Sequence, residues 1–447
     1  MISHSNSDAL WAHAQRVLAG GPATLSKLPS RYPSGIAPKF LIEARNEYVF
    51  DEDDHEYVDM VAALGPILLG HNHAAVTQAV LGQIMESGIT SSTLPTALEV
   101  EVAELLTEII PGAEMVRFAT NGADVTNAAV KLARYHTGNQ HVIYTGYAGG
   151  NDSYLSTTDK RGGILDVVSH YNHQIPWRFI SDLHGAIHMF QQQGENLAAI
   201  VVEVPPEPFS THPNETKHIL EVYRDTAHAN GALFILDEVV TGFRYALGGA
   251  QEYYSITADL ATFSKGMANG YPCAAITGPR HIMRHFEGGT VFLSTTFGAH
   301  AVGLAACKAT INVLRNTKAH ASLVTHGTAL QHRLHELLET MIPTVATLRG
   351  NFARMVIDWH DAPGMATKDE LRTLWLQETC KHGVLFGVPI FPMACWTEET
   401  VNKVMIAASH GVTAVFNVIK GVVPMGKALE CPVISDVFQR YEPQEKM

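Results

Sequence analysis

An α/β fold built on a mostly parallel sheet is predicted by three features of the sequence. Between about Ile109 and Gly278, short runs rich in Val, Ile and Phe alternate with stretches of helical periodicity, the pattern of strands joined by helical crossovers. Glycines stand just past two of the periodic stretches, at Gly138 and Gly231, where a helix end takes a left-handed residue. An acidic pair closes one of the apolar runs and so lies at the carboxyl end of a buried strand, where open α/β sheets bind their ligands.

The elements follow in order. Residues 37–60 hold two apparent strands around an acidic turn, Phe40–Ala44 and Tyr48–Asp51, leading to His55–Asp59; this predicts a small antiparallel subdomain before the glycine-rich Ala63–Gly70 segment. Strands of the main sheet are predicted at Val116–Thr120, His141–Thr145, Ala198–Val204, Leu233–Asp237 and Leu260–Phe263. After the first, Val125, Ala129, Leu132 and Ala133 make one apolar helix stripe, and Ile219, Leu220, Tyr223 and Ala227 make another before Leu233. Near Arg315 the pattern shifts. Leu330, Leu334, Leu337, Leu338 and Met341 predict a long amphipathic helix, Arg354–Trp359 a strand, and Glu370–Lys381 a further helix. The expected division is an N-terminal segment 1–64, a large domain 65–315 and a C-terminal segment 316–447, the two ends together forming a small domain.

Composition narrows the function classes. The chain of 447 residues is 46% hydrophobic and 17% charged, which excludes disorder. Lys and Arg number 31 against 44 Asp and Glu, a net charge of 31 − 44 = −13 without a basic cluster, so neither nucleic acid nor an anionic membrane is an expected partner. No stretch approaches the roughly 18–20 apolar residues of a membrane span. The five cysteines, an odd number without a C-x-x-C pair, read as core fillers of a reducing compartment, and the protein is expected to be cytoplasmic. The 24 histidines show no ligand spacing, and no metal site is expected.

The stretch FILDEVVTGFRYALGGAQEYYSITADLATFSKGMANG, Phe234 to Gly270, carries the chemistry. Asp237 and Glu238 close one apolar strand and Lys265 closes the next. A carboxylate buried at a strand end needs a cation, and a lysine in an apolar setting has its pKa lowered toward the value a Schiff-base nucleophile requires. The separation of 265 − 237 = 28 residues is compatible with a lysine that bonds an aldehyde cofactor while Asp237 holds a pyridinium nitrogen, and equally with a structural salt bridge. Asn121-Gly122-Ala123 falls between a strand and the helix beginning near Asp124, so its N–H groups are placed for a phosphate, or simply for a tight turn.

This stretch resembles the lysine region of the class III aminotransferases, fold-type I pyridoxal-phosphate enzymes that include glutamate-1-semialdehyde aminomutase. The D-E-V-x-T-G-F-R run is met by Asp237 to Arg244, G-G-A-Q by Gly248–Gln251, the following strand by Ala258–Leu260, and the lysine by Lys265. Glu47–Asp59, Gly65–His73 and Glu99–Arg117 extend the likeness over nearly the whole chain. The resemblance implies a large domain with a mostly parallel seven-stranded sheet and a small α+β domain from both termini. It implies pyridoxal 5'-phosphate as cofactor, passing through pyridoxamine phosphate, with Lys265 as the internal aldimine, Asp237 as partner of the pyridine nitrogen and Val239 against one face of the ring. Asn121, Gly122 and Ala123 correspond to the phosphate loop, although Ala123 lacks the hydroxyl many members carry there. Tyr147 corresponds to the aromatic ring stacked on the cofactor, and Glu203 to the glutamate of a V-E-P segment. Thr295, with Thr296 as its rival, corresponds to the threonine that reaches the phosphate of the neighbouring subunit, which implies a homodimer with its active site at the interface.

The expected activity is transfer of an amino group from a small amino donor to a keto or aldehyde acceptor. The alternatives are an intramolecular 2,1-aminomutase and a non-catalytic protein of the same fold. Lys27 and Arg31 stand where the aminomutase branch carries a carboxylate-binding arginine, and Tyr32, Ser91 and Trp396 are candidates to line the pocket.

Overall fold

The computed structural model describes residues 4–434, and these divide into two compact units. One comprises residues 4–73, 206–209 and 321–434; the other comprises 74–205 and 210–320.

The first unit holds a four-stranded sheet in the order Leu41–Arg45, Tyr48–Asp51, Glu56–Asp59 and Val384–Leu385, the last strand joining in parallel. A two-stranded ribbon pairs Ala346–Asn351 with Arg354–Trp359, and the helices Lys368–Lys381 and Glu398–Ile419 pack side by side. Each of these helices opens with a threonine capping box, at Thr367 and Thr397.

The second unit is built on seven strands in the order Met115–Ala119, Ala274–Gly278, Leu260–Phe263, Leu233–Asp237, Leu197–Val202, His141–Thr145 and Asn172–Gln174. Ala274–Gly278 runs against both of its neighbours and the other six share one direction. This is the mostly parallel seven-stranded sheet expected. His141–Thr145, Leu233–Asp237 and Leu260–Phe263 have the bounds read from the sequence, since every residue in them is buried and the apolar run ends where the strand does.

Two strands escaped the pattern. Asn172–Gln174 is a polar edge strand, and Ala274–Gly278 is small-residue and antiparallel, lying outside the crossover rhythm. The strand predicted from Val116 starts and ends one residue earlier, leaving Thr120 to the turn that follows. Helix Gly122–Thr137 likewise begins before Asp124, because Asn121 serves as its N-cap, and it stops at Gly138, whose φ of 69° is left-handed.

The common direction of the strands assembles the site. Met115–Ala119 leads to Asn121, His141–Thr145 to Tyr147, Leu197–Val202 to Glu203, Leu233–Asp237 to Val239, and Leu260–Phe263 to Lys265. Five carboxyl ends thus deliver these residues to one rim of the sheet. The core beneath is closed by the buried face of Gly122–Thr137, including Val125, Ala129, Leu132 and Ala133, against Tyr144, Val201, Ile235 and Ile276.

Candidate active site

Asp237 is the floor of this rim and is 3% exposed. Its Oδ1 accepts the Val239 N–H at 3.0 Å and the Thr262 hydroxyl at 3.3 Å, and its Oδ2 accepts the Thr126 hydroxyl at 3.3 Å. Burial pushes the Asp237 carboxyl up to about 7; the charge of Glu203 acts in the same direction, while the Val239 N–H, the Lys265 charge and the Thr262 hydroxyl pull the other way. The hydrogen-bond donors holding it are neutral, and the positive charge acting on it is that of Lys265.

Lys265 is half-buried on the neighbouring strand's end, at a φ of 43° that a lysine rarely adopts. Its charge acts to lower the Asp237 pKa, in keeping with the pairing of the two strands that carry them. Strand register explains the approach: Asp237 lies opposite Thr262, three residues before the lysine.

The turn at Asn121 is fixed by its own side chain, which accepts the Asp124 N–H at 3.1 Å and donates to the Asp124 carboxylate at 2.8 Å. The N–H groups of Gly122 and Ala123 open a helix of 16 residues, and first-turn N–H groups have no partner within the helix. A Cβ on Gly122 would stand 2.8 Å from Val239 Cγ1, so this glycine lets the turn close on the Val239 side chain.

Tyr147 is 49% exposed, and its ring meets Tyr154 edge-on. Its backbone N–H donates to Glu203 at 3.1 Å, and burial, then the charges of Asp237 and Glu203, raise its phenol above 10.0. Gly146, at φ 96°, has no room for a side chain, because a Cβ would lie 2.8 Å from Glu203 Cβ. Glu203, 6% exposed, thereby holds the loop that presents Tyr147.

Thr295 and Thr296 are exposed. Their segment is tied to the first strand, since Arg117 donates to the Leu293 carbonyl at 2.7 Å and Thr120 to the Phe297 carbonyl at 3.2 Å. The structure therefore gathers Gly122, Ala123, Tyr147, Glu203, Asp237, Val239 and Lys265, spends the Asn121 side chain on its helix, and sets Thr295 and Thr296 facing solvent beside that turn. Sequence reasoning missed Thr126 and Thr262. A lone hydroxyl in each of two otherwise buried apolar faces was the available signal.

These residues fit pyridoxal 5'-phosphate. The floor offers a buried carboxylate to a ring nitrogen that carries a proton, the turn offers helix N–H groups to a phosphate, and the lysine follows the strand next to the carboxylate's own. Sheet and site together define a fold-type I pyridoxal-phosphate transferase. The model of the Aminotransferase class-III family matches residues 33–411, and the chain belongs to that family. It is a pyridoxal-phosphate-dependent aminotransferase acting on small-molecule amino donors and acceptors.

Solved structures bear out the fold. The FumI protein of Sphingopyxis sp. MTA144, in its PLP internal aldimine form, superposes with a TM-score of 0.82 at 24% identity over 95% of this chain and 100% of that one. An omega-transaminase from Sphaerobacter thermophilus gives 0.78 at 23% identity over 93% and 98%. A beta-phenylalanine aminotransferase from Variovorax paradoxus gives 0.75 at 20% identity over 97% and 96%. The aminomutase-like branch gains no separate support from these matches. Among the described residues no helix is long and apolar enough to cross a membrane.

Proposed function

We propose that this aminotransferase works through Lys265 and Asp237 and moves the amino group between two molecules. When bound, the cofactor supplies the electron sink into which the substrate Cα–H bond breaks. Lys265 Nζ would hold the cofactor covalently and, when free, would serve as the base that moves the proton on and off the substrate carbon. Asp237 faces the ring nitrogen and keeps a proton there by its negative charge, with Thr126 and Thr262 orienting the carboxylate. Gly122 and Ala123 hold the phosphate through their N–H groups. Tyr147 and Val239 would pack against the ring, and Glu203 holds the Tyr147 loop in place.

The exposed Thr295 or Thr296 serves the phosphate of a second copy, which makes the working unit a homodimer. Five unpaired cysteines, four of them buried, support a cytoplasmic location. The observation that carries this reading is the placement of Lys265 and Asp237 at the ends of adjacent parallel strands, close enough for the lysine's charge to act on the carboxyl.

The test is an absorption titration of the purified protein with a panel of amino donors, each without acceptor. One donor is expected to convert the bound cofactor to its amine form while releasing one equivalent of oxo product. Lys265→Ala is expected to lose turnover by about 100-fold or more, the scale of a positioned acid/base. A Lys265→Ala protein turning over at the native rate overturns the assignment, and sustained turnover without any acceptor transfers it to the intramolecular aminomutase.

A further inference from the structure

The opposite rim of the same sheet carries a second cluster. His141, the first residue of strand His141–Thr145, is 1% exposed and points its Nε2 at Glu195 Oε2, 2.6 Å away. His170, at the end of helix Asp166–His170, brings its own Nε2 to 3.4 Å from the same oxygen. These three ligand atoms lie within 4.8 Å of one another. We propose that His141, His170 and Glu195 bind a divalent transition-metal ion, with zinc the best match to two imidazoles and a carboxylate.

Three features make the cluster a built site. Ligands about 2.0–2.2 Å from a tetrahedral ion stand roughly 3.3 Å apart, close to the His170 to Glu195 separation, and Glu195 has the exposure to move back from His141. His141 is locked in place: Phe190 stacks on its ring at 4.0 Å, and its Nδ1 lies 3.0 Å from His173 Nε2. A ligand imidazole whose other nitrogen is held by a neighbour is the usual support of a metal-binding histidine, and His173 supplies it. The Glu195 backbone is fixed as well, because its N–H donates to the Phe190 carbonyl at 3.0 Å just beyond helix Ile180–Gln192.

The cluster is also open. The His170 and Glu195 side chains are 50% and 32% exposed, which gives an ion a path in and leaves a fourth position for water or a small anionic ligand. The other comparable group among the described residues, His4, Asp51 and His55, has a carboxylate that is already engaged. Its Asp51 Oδ1 already accepts two backbone N–H groups, and Oδ2 accepts Tyr57 and stands against both histidines.

The experiment uses the chelator-treated holoenzyme, titrated with Co²⁺ and followed by its visible ligand-field bands, with Zn²⁺ as competitor. The chain has 24 histidines, so the criterion is a saturable phase of one equivalent rather than binding as such. Wild type and His188→Ala, which alters an exposed histidine outside the cluster, are expected to show it. His170→Ala and Glu195→Gln, both at partly exposed positions that fold without the ion, are expected to weaken it about tenfold or more while leaving transamination unchanged. Absence of the one-equivalent phase in wild type, or its survival in both cluster variants, overturns the site and leaves the group as a hydrogen-bonded ion pair.

Discussion

Asp237 and Glu238 are adjacent in sequence, both buried, and both pushed up to about 7 chiefly by burial. Their surroundings nevertheless differ in kind. Glu238 is enclosed by its own chain: the Thr241 hydroxyl and the N–H groups of Ala250 and Gln251 all donate to it, and a Cβ on Gly249 would come within 2.6 Å of its oxygens. It clasps the loop from Thr241 to Gln251. Asp237 is held by two longer hydroxyl contacts and one N–H, with the charge of Lys265 in reach. A carboxylate whose donors close around it builds structure, whereas one held from behind and left facing a cleft is available to a ligand.

Asp237→Asn is expected to have the largest effect. Removing the carboxylate that would pair with the protonated ring nitrogen costs about 3–5 kcal/mol, so kcat/KM is expected to fall by roughly two to four orders of magnitude with the melting temperature of the cofactor-free protein little changed. Steady-state kinetics beside a thermal melt check both halves; a variant that loses fold and activity together would put Asp237 in the same class as Glu238.

Glu238→Gln is expected to show the reverse pattern. An amide turns an N–H toward one of the backbone donors, at about 1–3 kcal/mol of stability. The pH dependence sharpens the point. The Glu238 carboxyl is raised from 4.5 to about 7, so as pH rises between these values the unfolded chain releases a proton that the folded protein retains. Its contribution to stability is fully present below pH 4.5 and is lost through pH 7, by about 3 kcal/mol in all. Denaturant melts at pH 5 and pH 8 are expected to differ less in Glu238→Gln than in wild type, and an identical difference would remove the carboxyl from the account.

The smallest effect is expected from Thr126→Val, which keeps the shape and deletes one hydroxyl behind Asp237. One hydrogen bond of about 0.5–1.5 kcal/mol corresponds to a two- to tenfold fall in kcat/KM, with the pH profile moving to higher pH because the carboxylate loses a donor. A pH–rate profile identical to wild type would show that the hydroxyl's single proton serves its helix, through the shorter contact to the Gly122 carbonyl at 2.9 Å.

Much of this was legible in the sequence for physical reasons. Strands such as Leu233–Asp237 are buried throughout, so hydropathy marks their ends, and the turn at Asn121 announces itself because asparagine caps helices. Thr126 and Thr262 were illegible because a hydroxyl in a helix or strand is tolerated without a partner, and only the fold puts two of them behind one carboxylate. The proposed ligands His141, His170 and Glu195 lie 25 or more residues apart, about the length of a crossover, and it takes the strand order to bring them to one edge.

The turn at Asn121 has a consequence for anyone mapping the enzyme by mutation. Its side chain is committed to Asp124, Ala123 offers only a methyl group, and what remains for an anion is main chain. If this loop holds the phosphate as proposed, its grip is made of peptide groups with no side chain to delete, and substitution scanning across residues 121–123 would score tolerance at Ala123. The vulnerable position is Gly122, and it is vulnerable because of its neighbour's bulk. A search for relatives keyed to a hydroxyl residue in this loop would pass over the chain, while one keyed to backbone shape would retain it.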